Sequence, residues 1–430
     1  MRRTMFLIPH ELGALPIVGV GWALLIVGIA LLLRLSWAAR QRSRFGEDAP
    51  SVGAVLASEA VFWGMAAGLV TFLLPRVELD NAFGEPVGMA IRGYGVFLLL
   101  GVVSAVGLSA YRASRDPELK ADQIYALAPW VFVGGILGAR MFYVIQYRDE
   151  FIGSSFSETL RNMVAFTEGG LVVYGSIIGG LVAFCVFCLR HRISALRLGD
   201  AIIPALFLGI CLGRIGCLMN GCCYGGRCEE GWSSIRFPPI NEVYQLQLES
   251  GELLGMDVDP DNKTIRSVTP GSPADQKGIV SGDVYESGSP DPRPLETADP
   301  GLPRGDVELG WIASISGRVV TFSPDDLPDR SLPVSAAQVI SSMMGLCLCL
   351  LLCAVSRFLS RPGALMLIGF AAYAVVRFVL EIVRVDEAGQ FNTTLSISQW
   401  VSVVSFIGSV AGLSWIMSRK TEPTSHRAEA

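Results

Sequence analysis

The sequence predicts an all-α polytopic membrane protein of about nine transmembrane helices, interrupted by one small, mainly-β soluble insert. Three observations carry that prediction. First, 51% of the 430 residues are hydrophobic and only 17% are charged, where a soluble domain carries about 25%. Second, the mean hydropathy is +0.48, so too few charges remain to coat a water-soluble particle of this size. Third, the charge is segregated: between Cys222 and Pro333 stand 19 acidic and 9 basic side chains, in a chain whose total charge is −5. The framework is thus apolar and mildly basic, and the acidic Pro/Gly/Asp-rich stretch reads as the part made for water. Collagen-like, disordered and disulfide-scaffold classes are excluded by the same figures. Nucleic-acid binding is not expected, because no basic patch with interleaved aromatics occurs.

A membrane helix needs about 20 mostly apolar residues. Nine stretches qualify, at approximately 15–33, 52–75, 93–111, 124–144, 169–189, 199–220, 336–355, 364–383 and 396–417. The first is long and lacks a small-residue cleavage site, so a removed signal peptide is not expected. The implied organisation is two N-terminal helices (1–90), the first part of a core (91–235), the insert (236–332), three further helices (333–417) and a tail (418–430). Lys and Arg in short loops set direction. With the N-terminus outside, 15 of them lie in inner segments and 7 in short outer ones. An outside N-terminus, an outside insert and a cytoplasmic C-terminus follow.

Polar groups inside the spans come next. An arginine at a helix centre costs at least ~2.5–3.5 kcal/mol, yet Arg140, Arg214 and Arg377 sit on the fourth, sixth and eighth spans. Each falls in the outer third. Tyr373, Arg377, Glu381 and Arg384 recur at helical spacing on the eighth span, as Arg140, Tyr143 and Tyr147 do on the fourth. Tyr94 and Tyr174 open the third and fifth spans from the same side. The three arginines are expected to meet in one cationic cavity opening to the outer leaflet. Its ligand would be an amphiphile with an anionic head, since the planar guanidinium fork suits phosphate oxygens. The sixth span leaves the membrane as Gly213-Arg214-Ile215-Gly216-Cys217-Leu218-Met219-Asn220-Gly221-Cys222-Cys223-Tyr224-Gly225, whose glycines allow backbone to approach a ligand.

At these residues the chain resembles the bacterial prolipoprotein diacylglyceryl transferase family, whose signature reads G-R-x-G-N-F-x-N-G before an aromatic-glycine pair. Cys217 and Leu218 replace the signature's asparagine and phenylalanine. The resemblance extends in order over roughly residues 90–415, through Tyr94-Gly95, Gly138-Ala139-Arg140-Met141-Phe142-Tyr143, Gly169 to Gly175, Tyr373 to Arg384, and Leu395-Ser396-Ile397-Ser398-Gln399. It implies a seven-helix transferase core in the bacterial inner membrane. The implied reaction moves a diacylglyceryl unit from phosphatidylglycerol to the lipobox cysteine of a preprolipoprotein, forming a thioether and releasing glycerol phosphate. No cofactor is implied.

On that resemblance the catalytic residues are Arg214, Arg377, Glu381 and Tyr174. Arg214 grips the phosphate, and Arg377, oriented by Glu381, stabilises the leaving group or the thiolate. The phosphatidylglycerol-binding set is Arg214, Arg140, Tyr94, Tyr143, Asn220, Gly225, Tyr373 and Arg384. Tyr174 stands close to where the family places a histidine. The proton acceptor therefore stays open between Tyr174 and deprotonation in the arginine field. The segment Ser335-Ala336-Ala337-Gln338-Val339-Ile340 departs from the family's His-Pro-x-Gln-x-Tyr. These departures leave a reading of another class: a catalytically impaired membrane scaffold or receptor.

Within the insert, Gly251 to Met256 followed by Val268-Thr269-Pro270-Gly271-Ser272-Pro273-Ala274 resembles a PDZ-like module. It implies capture of a periplasmic peptide by the loop Leu253, Leu254, Gly255 and Met256, against the simpler reading of a spacer. Residues 311–320 read as strand, glycine turn and strand. Of ten cysteines, six lie in apolar spans and read as packing residues. Cys217, Cys222, Cys223 and Cys228 cluster without paired C-x-x-C spacing, so no metal is expected, while a disulfide at Cys228 is open.

Overall fold

A computed structural model of the chain describes residues 4–13, 15–18, 21–45, 51–151, 159, 162–163, 170, 172–291, 301–303, 306–307, 310–383, 393 and 395–418. It is mostly helical. Among the described residues, eight helices are long and apolar enough to cross a membrane. The chain divides into two compact units: Met1–Val96, Gly216–Cys223 and Arg227–Ser335 form one, and Phe97–Ile215, Tyr224–Gly226 and Ala336–Ala430 the other.

In the first unit the N-terminal region differs from the expectation of two plain helices. Strand β1 (Thr4–Pro9) pairs antiparallel with β3 (Pro86–Arg92), which also pairs with β2 (Leu79–Asp80). The first helix, α1 (Trp22–Phe45), starts seven residues later than the apolar run. Gly21 explains the shift: its φ is +130°, and a Cβ there would stand 2.3 Å from the Pro16 carbonyl oxygen, so the chain turns sharply before helix can start. The second apolar run is helical but interrupted, as α2 (Val52–Gly68), a π-helical turn (Leu69–Leu73) and α3 (Leu74–Val77). Pro75 removes one backbone donor, and Thr71 turns its hydroxyl back onto the Ala67 carbonyl at 2.8 Å. Such loss of regular bonding is where π-turns form. Arg34 of α1 donates to Glu59 of α2 at 2.8 Å and 3.0 Å, a helix-to-helix pair that apolar counting did not single out.

The insert completes this unit. Strand β4 (Ser234–Ile235) pairs with β10 (Val334–Ser335), so its two ends meet. Between them run α8 (Glu242–Glu249), the β5 (Met256–Val258)–β6 (Ile265–Val268) pair, the short helix α9 (Pro273–Gln276), and an antiparallel sheet of β7 (Tyr285–Pro290), β8 (Trp311–Ile315) and β9 (Arg318–Phe322), with β8 central. Ser316 and Gly317, with φ of +50° and +73°, turn β8 into β9, the twist-compatible hairpin geometry. Leu254, Ile265, Ala274, Trp311, Ile315 and Phe322 form a closed core.

The second unit is a helical bundle: α4 (Gly93–Ala113, from Phe97 on), α5 (Ala121–Gln146), α6 (Val173–His191), α7 (Ala195–Asn220, to Ile215), α10 (Ala337–Val355), α11 (Ala364–Val383) and α12 (Ile397–Ser418). Helices α5 and α6 touch backbone to backbone. A Cβ on Gly138 would lie 2.3 Å from the Gly175 carbonyl oxygen, and one on Gly179 would lie 2.2 Å from that of Gly134. Small residues serve lipid-embedded helices this way, because dispersion contacts replace the hydrophobic effect there. Asp200 on α7 accepts from the Gly363 N–H at 2.6 Å and the Met366 N–H at 2.7 Å, capping α11. Arg112 of α4 in turn donates to the Asp200 and Ala201 carbonyls, both at 3.2 Å. These bonds hold the axial register of α7 against α11, on which the site depends.

Candidate active site

Arg214 of α7 and Arg377 of α11 line one cavity, together with Tyr373, Ser341, Gly345 and Leu380. The register set by Asp200 places them there. The cavity holds about 10 Å³, room for about one water and none for a phosphate head group. A larger ligand needs the surrounding helices to give way.

The two guanidiniums are held differently. Arg377 is ion-paired to Glu381 one turn on, and its Nη2 donates to Ser398 Oγ at 2.8 Å. Glu381 is 6% exposed and also accepts from Ser396 Oγ at 3.0 Å. The Ser396 N–H donates to Gln399 Oε1 at 3.0 Å, so the start of α12 closes a network around the ion pair. A buried carboxylate survives in such a setting only when it is paired and hydrogen-bonded. Arg214 is half-buried and its guanidinium has no hydrogen bond or ion pair among the described residues. Of the three intramembrane arginines it is the one whose five donors make no bond among the described residues. Tyr373 packs its ring against Phe207 with centroids 5.5 Å apart.

Arg140 corrects the expectation of a single three-arginine pocket. It is 6% exposed and donates to the carbonyls of Met163 (2.9 Å), Asn162 (2.8 Å) and Gly170 (3.3 Å). It does not line the Arg214–Arg377 cavity. Its guanidinium lies 5.5 Å from the Tyr143 ring centroid and 5.2 Å from that of Phe151, within cation–π reach. Arg140 and Tyr143 thus clamp backbone ahead of α6, with the Tyr143 ring directly on Gly170. Carbonyls satisfy a buried guanidinium without a second charge, which is why position on the span did not reveal this role. Tyr174 follows at the start of α6, 40% exposed. Arg384 lies outside the described residues.

Tyr94 and Asn220 belong to the first unit and Gly225 to the second. Tyr94 is 41% exposed and within electrostatic reach of Cys217, Cys222 and Cys223. The Asn220 side chain hydrogen-bonds Cys222. Gly225 is buried. Sequence reasoning missed Ser396, Ser398 and Gln399 as the residues that hold Arg377 and Glu381, although their segment was visible in the resemblance. It also missed the mutual approach of three cysteines.

In the insert, the loop expected to capture peptide is closed on itself. Leu253, Leu254 and Met256 are 3%, 0% and 2% exposed. The N–H groups of Leu253, Leu254, Gly255 and Met256 donate to Gln247, Gly251, Glu252 and Gly251 carbonyls at 2.9–3.1 Å. A carboxylate-binding loop needs N–H groups pointing outward, and these four are already used.

Comparison with known proteins places these features in context. Residues 83–415 match the family described as prolipoprotein diacylglyceryl transferase. The phosphatidylglycerol–prolipoprotein diacylglyceryl transferase of Rhodopirellula baltica is 43% identical over 465 aligned residues, covering 99% of this chain and 91% of that protein. A protein of the same name from Clostridium tetani is 35% identical over 141 residues, 33% of this chain and 54% of its own length. One from Deinococcus radiodurans is 31% identical over 159 residues, 37% of this chain and 46% of its own.

Proposed function

The chain belongs to the prolipoprotein diacylglyceryl transferase family, and from that premise we propose how its own residues carry the reaction. The protein is an integral membrane enzyme that transfers the diacylglyceryl group of phosphatidylglycerol to the cysteine thiol of a prolipoprotein. The substrate sulfur attacks the glyceryl carbon, the carbon–oxygen bond breaks, and glycerol phosphate leaves with the electron pair.

The uncommitted guanidinium of Arg214 is the observation that carries the assignment. It binds the lipid phosphate and stabilises the charge that grows on the leaving oxygen. Preorganised donors of this kind lower a barrier because they are already oriented when charge develops. Arg377, oriented by Glu381 and Ser398, supplies a second positive charge in the same cavity. Its fixed geometry suits the leaving group or the incoming thiolate, while Tyr373 borders the head group. Tyr174 and Tyr94 remain candidates for hydrogen bonds to the lipid. Arg140 acts by positioning, through the carbonyls it holds. The enzyme lies in the bacterial inner membrane with its N-terminus and insert outside, a reading supported by the 15-to-7 distribution of basic residues. The insert's closed loop supports a role as a folded spacer or lid.

Arg214→Ala in a host depleted of its own enzyme should stop lipoprotein maturation. With purified protein, kcat should fall by about 100-fold or more. Normal maturation by a correctly inserted variant would remove Arg214 from the chemistry.

A further inference from the structure

The turn that ends α7 gathers three thiols. Helix α7 stops at Asn220, and the N–H groups of Gly221 and Cys222 both return to the Cys217 carbonyl, at 2.9 and 3.1 Å. Gly221 and Cys223 then take φ of +79° and +59°. Glycine adopts this conformation freely, but a cysteine does so against its own preference. The result is that the Sγ atoms of Cys217, Cys222 and Cys223 all lie within 4.8 Å of one another. All three are half-buried and present as thiols.

A second observation points to a ligand at the same turn. Asn241 is 0% exposed, and neither its Oδ1 nor its Nδ2 has a hydrogen-bond partner among the described residues. Its amide lies directly on Gly221, where a Cβ would stand 2.5 Å from Nδ2. An amide buried without partners costs ~1–3 kcal/mol, and such groups in native proteins mark an absent water, ion or ligand. Asn220 already directs its side chain to Cys222. The Asn220 amide is the kind of outer-shell donor that a metal-bound thiolate uses, and the Asn241 amide packs on Gly221 of the same turn.

We propose that Cys217, Cys222 and Cys223 hold one zinc ion, and that its open fourth position takes the cysteine thiol of the incoming prolipoprotein. Zinc–sulfur bonds of ~2.3 Å in a tetrahedral array set sulfurs about 3.8 Å apart, so the three thiols need to close by about 1 Å at most. Three protein ligands with one open position is the pattern of catalytic rather than structural zinc. The inference rests on the transferase reading, because only a reaction that alkylates a thiol gives that fourth position its use. It also answers the question raised by Tyr174. A thiol bound to zinc is deprotonated outright, so no side chain need act as a dedicated base. The substrate proton leaves to water on coordination, the sulfur lone pair forms the carbon–sulfur bond, and the lipid's carbon–oxygen bond breaks. Zinc remains divalent throughout, and the thioether product, a weaker ligand than the thiolate, departs. Cys217 stands where the family signature has asparagine, so the site is a property of this chain's own residues.

The test uses the purified full chain in detergent, with metal content measured by mass spectrometry and cobalt(II) exchanged in as a spectroscopic probe. The expected result is about one zinc per chain and sulfur-to-cobalt charge-transfer absorption. Both should be lost in Cys217→Ser and in Cys222→Ser and kept in Cys228→Ser. A lipobox peptide should shift the cobalt ligand-field bands, and the same peptide with serine for cysteine should leave them unmoved. Failure of the reduced native protein to take up zinc would overturn the proposal without any variant. So would copper(I) as the resident ion, or cobalt bands blind to the cysteine peptide. Arg214→Ala separates the two readings: it should abolish transfer and keep the cobalt spectrum. Retained transfer in that variant would count against the Arg214 assignment while the metal result stood.

Discussion

The insert and the helical bundle treat their charged groups in opposite ways. In the insert, charges sit at the surface and pair locally, as in Lys277–Asp326 at 2.9 Å and Arg266–Asp259 at 3.0 Å. Its core cluster is apolar, although Asn241 and Ser331 are also buried, and even the loop of Leu253 to Met256 uses its backbone donors internally. In the bundle, guanidiniums are buried within spans. Arg140 is taken up by carbonyls and Arg377 by Glu381, whereas Arg214 makes no bond among the described residues. A fold that tolerates an unmatched arginine in lipid forgoes at least ~2.5–3.5 kcal/mol. Bonded guanidiniums therefore mark the structural parts of the bundle, and the one without a bond among the described residues marks the place where a ligand's charge is awaited.

That contrast can be broken or sharpened by substitution. Glu381→Ala strands Arg377 next to Arg214 and removes the acceptor of Ser396. It should destabilise the bundle by ~3–5 kcal/mol and end transfer, while the near-ultraviolet signals of Trp311 and Tyr285 in the insert persist. Loss of both sets of signals together would mean that the two regions do not respond separately.

Leu254→Ala addresses the other side. Leu254 is 0% exposed in the insert core, so the change should cost that module ~2–5 kcal/mol. Transfer by the folded fraction should stay near the native rate. A drop in kcat at temperatures where the insert is still folded would assign the insert a part in catalysis.

Gly138→Ala tests close helix approach, since its Cβ would meet the Gly175 carbonyl at 2.3 Å. A cost of ~1–3 kcal/mol is expected, with KM for phosphatidylglycerol rising as the Arg140 clamp shifts. Unchanged thermal stability would show that α5 and α6 separate easily.

The smallest effect concerns Asp326. The Lys277 ammonium and the Ser323 hydroxyl and N–H hold its carboxyl down at about 2. A depressed carboxyl contributes stability above its unfolded value of ~3.9 and loses it as pH falls towards about 2. Because the pair is exposed, the contribution is within ~1 kcal/mol. Asp326→Asn should flatten the acid limb of the insert's unfolding curve below about pH 4 and lower its stability at pH 7 by no more than ~1 kcal/mol; a steeper limb would refute the pairing.

Much of the fold was legible because lipid imposes a length rule on sequence. The runs ending at Tyr111, Leu189 and Val355 correspond to helices Gly93–Ala113, Val173–His191 and Ala337–Val355. The N-terminal sheet was not legible, because β1 and β3 pair across about eighty residues and β1 is short and only partly buried. The break after Gly68 carried a local signal in Pro75 that an apolar count overrides. In the site, helical spacing alone was enough to pair Arg377 with Glu381, four residues apart on one face.

Sequence by itself determined which stretches enter the membrane and which side chains are too costly there to be incidental. Both follow from transfer free energies that belong to each residue wherever it sits. Only the tertiary structure decided what those side chains touch. Arg140 found three carbonyls from another segment, Arg377 found Ser398 at the start of α12, and Arg214 found no partner among the described residues. Three cysteines five and one residues apart became neighbours because a left-handed turn folded them back on α7. Hydrogen bonds and ligand geometry depend on ångström-scale distances through space, and spacing along a chain encodes those only within a single helix.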